Sequence, residues 1–135
     1  MNAPHPSFHD GYLTAIQLNE DAVEVTLERL SGEVWLMVAT GVSALQMDDF
    51  RQGNIISHVG VHCGVDPGLK ALERLFPRPH TAADEEYHNA HADLLSKRAA
   101  EVEKRNATVV EISPSYGADL VIFCATVRFE CLSNG

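Results

Sequence analysis

The residues that decide the fold are AVEVTLERLSGEVWLMVAT, positions 22–40, which contain two strand patterns joined by a tight turn. In the first pattern Val23, Val25 and Leu27 alternate with polar side chains, which is the period of a strand with one buried face and one solvated face. A Ser-Gly turn follows. The second pattern, EVWLMVAT, is apolar on both faces, as in a strand at the centre of a sheet. This segment therefore predicts two neighbouring antiparallel strands.

Strand patterns continue on both sides of this segment and enclose a region of helical periodicity. Five strands in succession with short turns predict an antiparallel meander over the first half of the chain. The chain is therefore expected to be α+β, with a mostly antiparallel sheet of about six or seven strands. Two helices, at about residues 67–76 and 82–105, are expected to cover one face of that sheet. The further strand patterns lie at residues 12–18, 41–47, 54–63, 108–112 and 120–130.

Helix start signals precede both predicted helices. Asp66 is expected to cap the first helix, with Pro67 at its first helical position. Thr81 is expected to cap the second helix, with Asp84 three residues later in the capping-box position. The buried stripe of the second helix is expected to consist of Tyr87, Ala90, Leu94 and Val102. In the final strand pattern, the residues expected to share one face are Val121, Phe123, Ala125, Val127 and Phe129.

Length and composition predict one globular domain. The chain has 135 residues, of which 45% are apolar and 21% charged, so it can bury a core without disulfides. Residues 1–10 contain two prolines and two histidines and are expected to form a loose N-terminal arm. No apolar run reaches the length of a membrane span, and the N-terminus lacks the regions of a signal peptide. A cytoplasmic location is therefore expected, with Cys63, Cys124 and Cys131 as reduced thiols that fill core space.

The negative charge of the chain is concentrated in its first part. The formal net charge is −9, and residues 1–50 carry eight acidic side chains against one arginine, Arg29. A surface of one sign attracts basic partners and repels nucleic acid and anionic membranes. We therefore expect a basic protein partner, no nucleic-acid partner and no membrane partner. The residues expected to bind this partner, as one negative surface on the sheet, are Glu24, Glu28, Asp48 and Asp49.

Two groups of histidines are candidate metal ligands. His58 and His62 share a strand face, but they stand roughly 13 Å apart, which is too far for one zinc ion. They are interpreted as ordinary sheet-surface histidines. Asp84, His88 and His91 lie at helical spacing on one face, and a metal site there would need a further ligand from elsewhere. A polar helix face explains the same pattern.

No catalytic motif was found. His9-Asp10 is similar to the histidine–aspartate pair of metal-dependent phosphohydrolases, which lies in a helical array in that family. Here Gly11 follows at once and a strand begins, so a role in a turn is expected instead. The sequence contains no GxSxG motif, no glycine-rich phosphate loop and no CxxC pair. We therefore assign no catalytic residue, no metal ligand and no cofactor, and we expect that the chain is not an enzyme.

Three segments carry a family resemblance: FHDG at residues 8–11, GVSALQMDDFRQGNII at residues 41–56 and, more weakly, VVEISPSYGADL at residues 109–120. They resemble a loose group of small bacterial proteins that have an N-terminal Phe-His-Asp element and a later apolar–Gly-Asn–apolar strand. Some of these are thought to be immunity proteins encoded beside polymorphic toxins. The resemblance implies a small α+β domain that acts by binding, and it implies no catalytic residues.

Three hypotheses of function follow. The leading one is a protein-binding module, an immunity protein that neutralises a basic toxin through an acidic sheet face. The second is a metal-dependent enzyme or metal-binding protein that uses the Asp84–His88–His91 face or the His9-Asp10 loop. The third is a structural subunit of a larger assembly, in which the two-sided apolar strand at residues 33–40 is completed by another chain.

Overall fold

The computed structural model describes residues 4–133, which form one antiparallel sheet and two helices. The α+β class and the two helices are confirmed, and the sheet has eight strands where about six or seven were expected. The elements are β1 (Tyr12–Asn19), β2 (Ala22–Glu28), β3 (Val34–Thr40), β4 (Ala44–Asp48), β5 (Asn54–His62), α1 (Leu69–Leu75), α2 (Glu85–Glu103), β6 (Thr108–Tyr116), β7 (Asp119–Cys124) and β8 (Thr126–Ser133). No helix in this range has the length and apolar character needed to cross a membrane.

The strand order is β4-β7-β6-β5-β1-β2-β3-β8. The segment at residues 22–40 forms β2 and β3 as predicted, and β1, β2 and β3 are neighbours in chain order. The meander predicted for the next two strands is wrong. The β4 strand pairs with β7, and β5 lies between β1 and β6. Strands distant in the chain therefore complete the sheet, which the local turn pattern does not encode.

The sheet curls, because two long segments of the chain bend together. The β3 strand continues into β4 through residues 41–43, and β7 continues into β8 through Ala125. The β3–β8 ladder is therefore followed end to end by the β4–β7 ladder. At the bend, the Ala125 N–H donates to the carbonyls of Thr40 and Gly41, at 3.0 and 3.1 Å. This bend divides the predicted strand at residues 120–130 into two strands with different partners.

The bend also explains why the face predicted for this last segment is wrong. Val121 and Phe123 lie before Ala125 and pack against the helices, whereas Val127 and Phe129 lie after it and pack inside the curl. The core inside the curl is built mainly from alternate residues of the strands, including Val25, Leu27, Met37, Ile56, Ile112 and Leu120. A second core lies outside the curl, between the helices and β6 and β7, and includes Ala71, Leu72, Val102, Val109 and Val121.

Both helices begin later than predicted. The N-cap of α1 is Gly68, in a left-handed conformation with φ 65°, and Pro67 precedes the helix. The Asp66 carboxylate accepts the Gly68 N–H at 3.1 Å, so it stabilises the turn before the helix and does not cap the helix itself. The N-cap of α2 is Asp84, without a side-chain capping bond, so the role predicted for Thr81 is not observed.

The buried side of α2 differs from the predicted stripe. Val102 is buried as expected, but Tyr87 is 61% exposed and Ala90 is exposed. Leu95 and Ala99 pack against the outer core instead. Only the second half of the helix therefore contributes to this core.

The N-terminal arm packs against the sheet over the part that is described, residues 4–10; residues 1–3 of the predicted arm lie outside the described residues. Phe8 is only 2% exposed and belongs to the inner core. Its ring lies edge-on to Trp35, with 6.2 Å between centroids, and the His5 ring lies 4.7 Å from the Phe129 ring. The arm therefore fills the inside of the curl near β8.

Candidate functional site

One part of the outer sheet surface carries no helix. Both helices pack on the side of the molecule formed by β4, β6 and β7. The outward side chains of β2, β3 and β8 form a separate surface, which we call the open face. Glu24 of β2 lies opposite Val38 of β3, which lies opposite Arg128 of β8. In the same way, Leu36 of β3 lies between Thr26 and Glu130. The open face consists of Glu24, Thr26, Glu28, Val34, Leu36, Val38, Arg128 and Glu130.

The open face has an apolar stripe between charged margins. Val34 and Leu36 are half-buried on β3, between the glutamates of β2 and the charged residues of β8. Glu24 and Glu28 are half-buried and make no ion pair within 4.0 Å among residues 4–133. Two unpaired carboxylates beside accessible aliphatic side chains can attract a cationic surface and bury apolar contacts from it.

The other two residues of the predicted acidic surface lie elsewhere. Asp48 ends β4, whose ladder partner is β7, and its carboxylate lies 3.8 Å from the Arg74 guanidinium of α1. Asp49 lies in the following turn with φ 58°, and its carboxylate accepts from the Arg51 Nε at 2.7 Å. The structure therefore leaves Glu24 and Glu28 on one face of β2, and it places Asp48 and Asp49 beside arginines that reduce their net charge.

A further early acid is also neutralised locally. The Glu33 carboxylate accepts from the Trp35 indole N–H at 2.6 Å and from Arg29 at 3.0 Å. The Trp35 hydrogen bond, followed by the Arg29 hydrogen bond, lowers the pKa of Glu33 below its ordinary value. The concentration of acid in residues 1–50 is thus divided among the open face, local ion pairs and turns.

A histidine between two carboxylates was missed by the sequence reasoning. His62, at the end of β5, has its Nε2 2.6 Å from Oε2 of Glu111 on β6, and its Nδ1 3.3 Å from Oδ2 of Asp66. An imidazolium can donate from both nitrogens, whereas a neutral imidazole donates from only one. The ring is closely enclosed, because a Cβ added to Gly68 would lie 2.9 Å from it. The interpretation of His62 as an ordinary surface histidine is therefore wrong.

This His62 cluster borders a shallow depression of about 350 Å³, which Lys70 of α1 also lines. The hydrogen bond from the Gly68 backbone N–H is the main cause that lowers the pKa of Asp66. The nearby His62 ring lowers it further. None of the described residues that line this depression carries a hydroxyl or a thiol group. The arrangement joins the β5–α1 loop to β6, and we assign it a structural role.

The Asp84–His88–His91 face, which was the alternative metal site, does not bring three ligands together. The His91 Nε2 lies 2.7 Å from the Phe76 carbonyl oxygen, and His88 and His91 line a depression together with Arg78, a cation. Asp84 lies at the N-cap, before the helix. Within residues 4–133, no group of three or more His, Cys, Asp or Glu side chains is arranged to hold a metal ion.

The His9-Asp10 pair lies in a turn, as its sequence context predicted. Asp10 has φ 63°, and the Gly11 N–H donates to the Phe8 carbonyl at 2.8 Å. The His9 Nδ1 lies 2.9 Å from the Ser57 carbonyl oxygen, and its Nε2 lies 3.5 Å from the Asp10 carboxylate. These contacts connect the arm to β5.

The cysteines occupy three different environments. Cys124 is buried, and burial raises the pKa of its thiol to about 12, so it stays protonated. Cys63 is half-buried and Cys131 is exposed. The expectation that all three thiols fill core space is confirmed only for Cys124.

Exposed aromatic side chains line a third depression, of about 510 Å³, at the start of β1 and β5. Tyr12 and Phe50 are 38% and 47% exposed. The guanidinium carbon of Arg51, which also lines the depression, lies 5.6 Å from the ring centroid of Tyr116. Tyrosine and arginine are common in protein interfaces. Because Asp49 already pairs with Arg51, this depression has no unpaired charge that would select a partner.

Comparisons with protein-family models, with curated proteins and with solved structures found no match to this chain.

Proposed function

We propose that this chain is a protein-binding domain whose open face contacts a basic protein. The observation that carries the proposal is the pair Glu24 and Glu28, two carboxylates without a basic partner in the described chain, beside the half-buried Val34 and Leu36. Interfaces commonly combine an apolar centre with a charged rim, and the rim sets the rate of association and the choice of partner.

The finer form of the proposal is an immunity protein that covers the active surface of a basic toxin. The motif resemblance at residues 8–11 and 41–56 and the net charge of −9 support it. A toxin that acts on nucleic acid needs a cationic surface to bind phosphates. An acidic protein that occupies this surface would exclude the substrate.

The test is binding to the product of the adjacent gene, measured by calorimetry with purified proteins. Reversing both glutamates, Glu24→Lys with Glu28→Lys, should weaken binding by at least about tenfold, because each exchanges an attraction for a repulsion. The matched control is Asp93→Lys with Glu103→Lys, which makes the same change in net charge at exposed positions of α2. Equal affinities of the wild type and the Glu24/Glu28 variant would reject the open face as the binding surface.

The salt dependence of association gives a second readout for the same surface. Electrostatic steering makes the association rate of the wild type fall as ionic strength rises. The Glu24/Glu28 variant should lose most of this dependence, whereas the α2 control should retain more of it.

The hypothesis of a metal-dependent protein stays a prediction. Its test is elemental analysis of protein purified without a histidine tag, followed by thermal melting with added zinc or manganese. Stoichiometric metal or a large increase in Tm would support it.

A further inference from the structure

A depression of about 290 Å³ lies at the place where the start of β6 and the start of β8 meet the residues that follow β5 and α2. Thr108 lines it from the inside of the curl, because it pairs with Cys124, a residue of the inner core. Val61 of β5 and Val127 of β8 form apolar walls. The depression is therefore an opening at one end of the inner core.

Thr108 supplies a buried hydroxyl group to this depression. The residue is 7% exposed, and its carbonyl oxygen accepts from the Cys124 thiol at 3.6 Å. Its hydroxyl makes no hydrogen bond within residues 4–133, and the hydroxyl oxygen is not fully enclosed. Leaving a hydroxyl without a partner in a buried position is unfavourable, so an acceptor that reaches it gains a hydrogen bond. The hydroxyl is a donor available to a ligand in the depression.

Arg105 supplies a positive charge at the mouth of the depression. It follows α2 with φ 64°, and its guanidinium lies against Gly64, where an added Cβ would be 2.8 Å from the arginine Nη2. The backbone N–H groups of Gly64 and Arg105 both donate to the Val102 carbonyl, at 2.8 and 3.0 Å, which holds the two segments together. In the described part of the chain, the guanidinium makes no ion pair within 4.0 Å and no hydrogen bond. The chain has 19 acidic side chains, yet none of the described residues that line the depression carries a carboxyl group.

We infer that this depression binds a small aliphatic carboxylate, which pairs with the Arg105 guanidinium and accepts a hydrogen bond from the Thr108 hydroxyl. The N–H groups of a guanidinium match the two oxygens of a carboxylate. A single cation balances a monoanion, whereas a dianion such as phosphate would keep an uncompensated charge beside Val61 and Val127. Sites for drug-sized ligands measure about 300–1,000 Å³, so this one suits a smaller molecule with a short hydrocarbon body. The inference goes beyond the proposed function, because none of these residues belongs to the open face.

The experiment is a titration of the full chain with sodium isovalerate, a branched short-chain carboxylate, followed by amide NMR at constant ionic strength. The amide signals around the depression should shift and saturate, with a dissociation constant of about 1 mM. Arg105→Gln should weaken binding by at least about tenfold, because it removes the charge. Thr108→Val keeps the shape of the side chain and should weaken binding by about tenfold through the lost hydroxyl. Lys104→Gln, an exposed neighbour with the same change in charge, is the control and should bind within about twofold of the wild type.

Shifts that do not saturate, or equal affinities of the Arg105→Gln and Lys104→Gln variants, would overturn the inference. Tighter binding of inorganic phosphate than of isovalerate would overturn the ligand class.

Two further measurements use the wild type alone, so they hold even where a variant does not fold. Isovaleramide, the neutral analogue, should bind at least about tenfold more weakly than isovalerate, and equal binding would contradict a role for the charge. Cys63 is half-buried and lines the same depression. Saturating isovalerate should therefore slow its alkylation by iodoacetamide, followed at that site by mass spectrometry. An unchanged rate would place the ligand elsewhere and overturn the inference.

Discussion

Asn54 fixes the turn before β5 with its side-chain amide. Its Nδ2 donates to the carbonyls of Leu13 and Arg51, at 3.2 and 2.7 Å, and its Oδ1 accepts the backbone N–H groups of Arg51 and Ala118, at 2.8 and 2.9 Å. The residue is 2% exposed. One side chain thus joins β1, the turn before β5 and the turn before β7, in the region where β1 and β5 pair.

Replacing Asn54 by alanine should lower the free energy of unfolding by about 3 kcal/mol, because four backbone groups lose their partner, two of them in buried hydrogen bonds. Chemical denaturation measures the change. Asn89→Ala, on the exposed surface of α2, is the matched control and should change stability by less than about 0.5 kcal/mol. Equal stabilities of the two variants would show that Asn54 does not join these segments.

The pH dependence of stability tests the turn at Asp66. Its pKa is lowered in the folded protein, so its charged form stabilises the fold above the ordinary carboxyl pKa, and this contribution is lost as pH falls through the lowered value. Asp66→Ala should therefore be less stable than the wild type near pH 7, and the difference should shrink below about pH 4. Asp66→Asn keeps an acceptor for the Gly68 N–H and should lie between the two. A difference that does not change with pH would rule out the charged form as its source.

At the scale of elements, the bend between β3 and β4 determines the curl of the sheet. Gly41 has φ +65°, and a Cβ added there would lie 2.7 Å from the Cβ of Ala125 on the paired segment. Two separate costs, the left-handed backbone and the close contact, therefore oppose any other residue at this position.

Gly41→Ala should lower the free energy of unfolding by about 2–4 kcal/mol, as the sum of the backbone cost and the clash. Gly53→Ala measures the backbone cost alone. Gly53 also has a positive φ, +82°, but a Cβ added there would meet nothing within 4 Å. Its cost should be about 1 kcal/mol. Equal losses of stability in the two variants would mean that the contact with Ala125 does not constrain the bend.

The sequence allowed the local elements to be predicted, but not their long-range pairing. Period-two alternation in residues 22–30 correctly identified β2 and its solvated glutamates. The same rule failed at residues 120–130, because Ala125 changes the ladder partner without a proline or glycine in that segment. His62 and Glu111 are 49 residues apart and meet only because β5 pairs with β6, so spacing rules could not find that cluster.

At the scale of the whole molecule, charge is distributed according to the fold and not according to position in the chain. The eight early acids suggested one negative surface, but the curl places Asp48 on β4 beside α1, and Glu24 and Glu28 on the open face. The charge total could be predicted from the sequence, whereas the arrangement of the surface could not, because it depends on which strands become neighbours. The open face unites residues from β2, β3 and β8.

The most direct test of the account is to label carboxyl groups with a carbodiimide and an amine, with and without saturating basic partner, and to quantify each site by mass spectrometry. The account predicts that Glu24 and Glu28 lose reactivity in the complex, while Asp93 and Glu103 on α2 keep theirs. Unchanged labelling of Glu24 and Glu28 in the saturated complex would contradict the claim that the open face binds the partner.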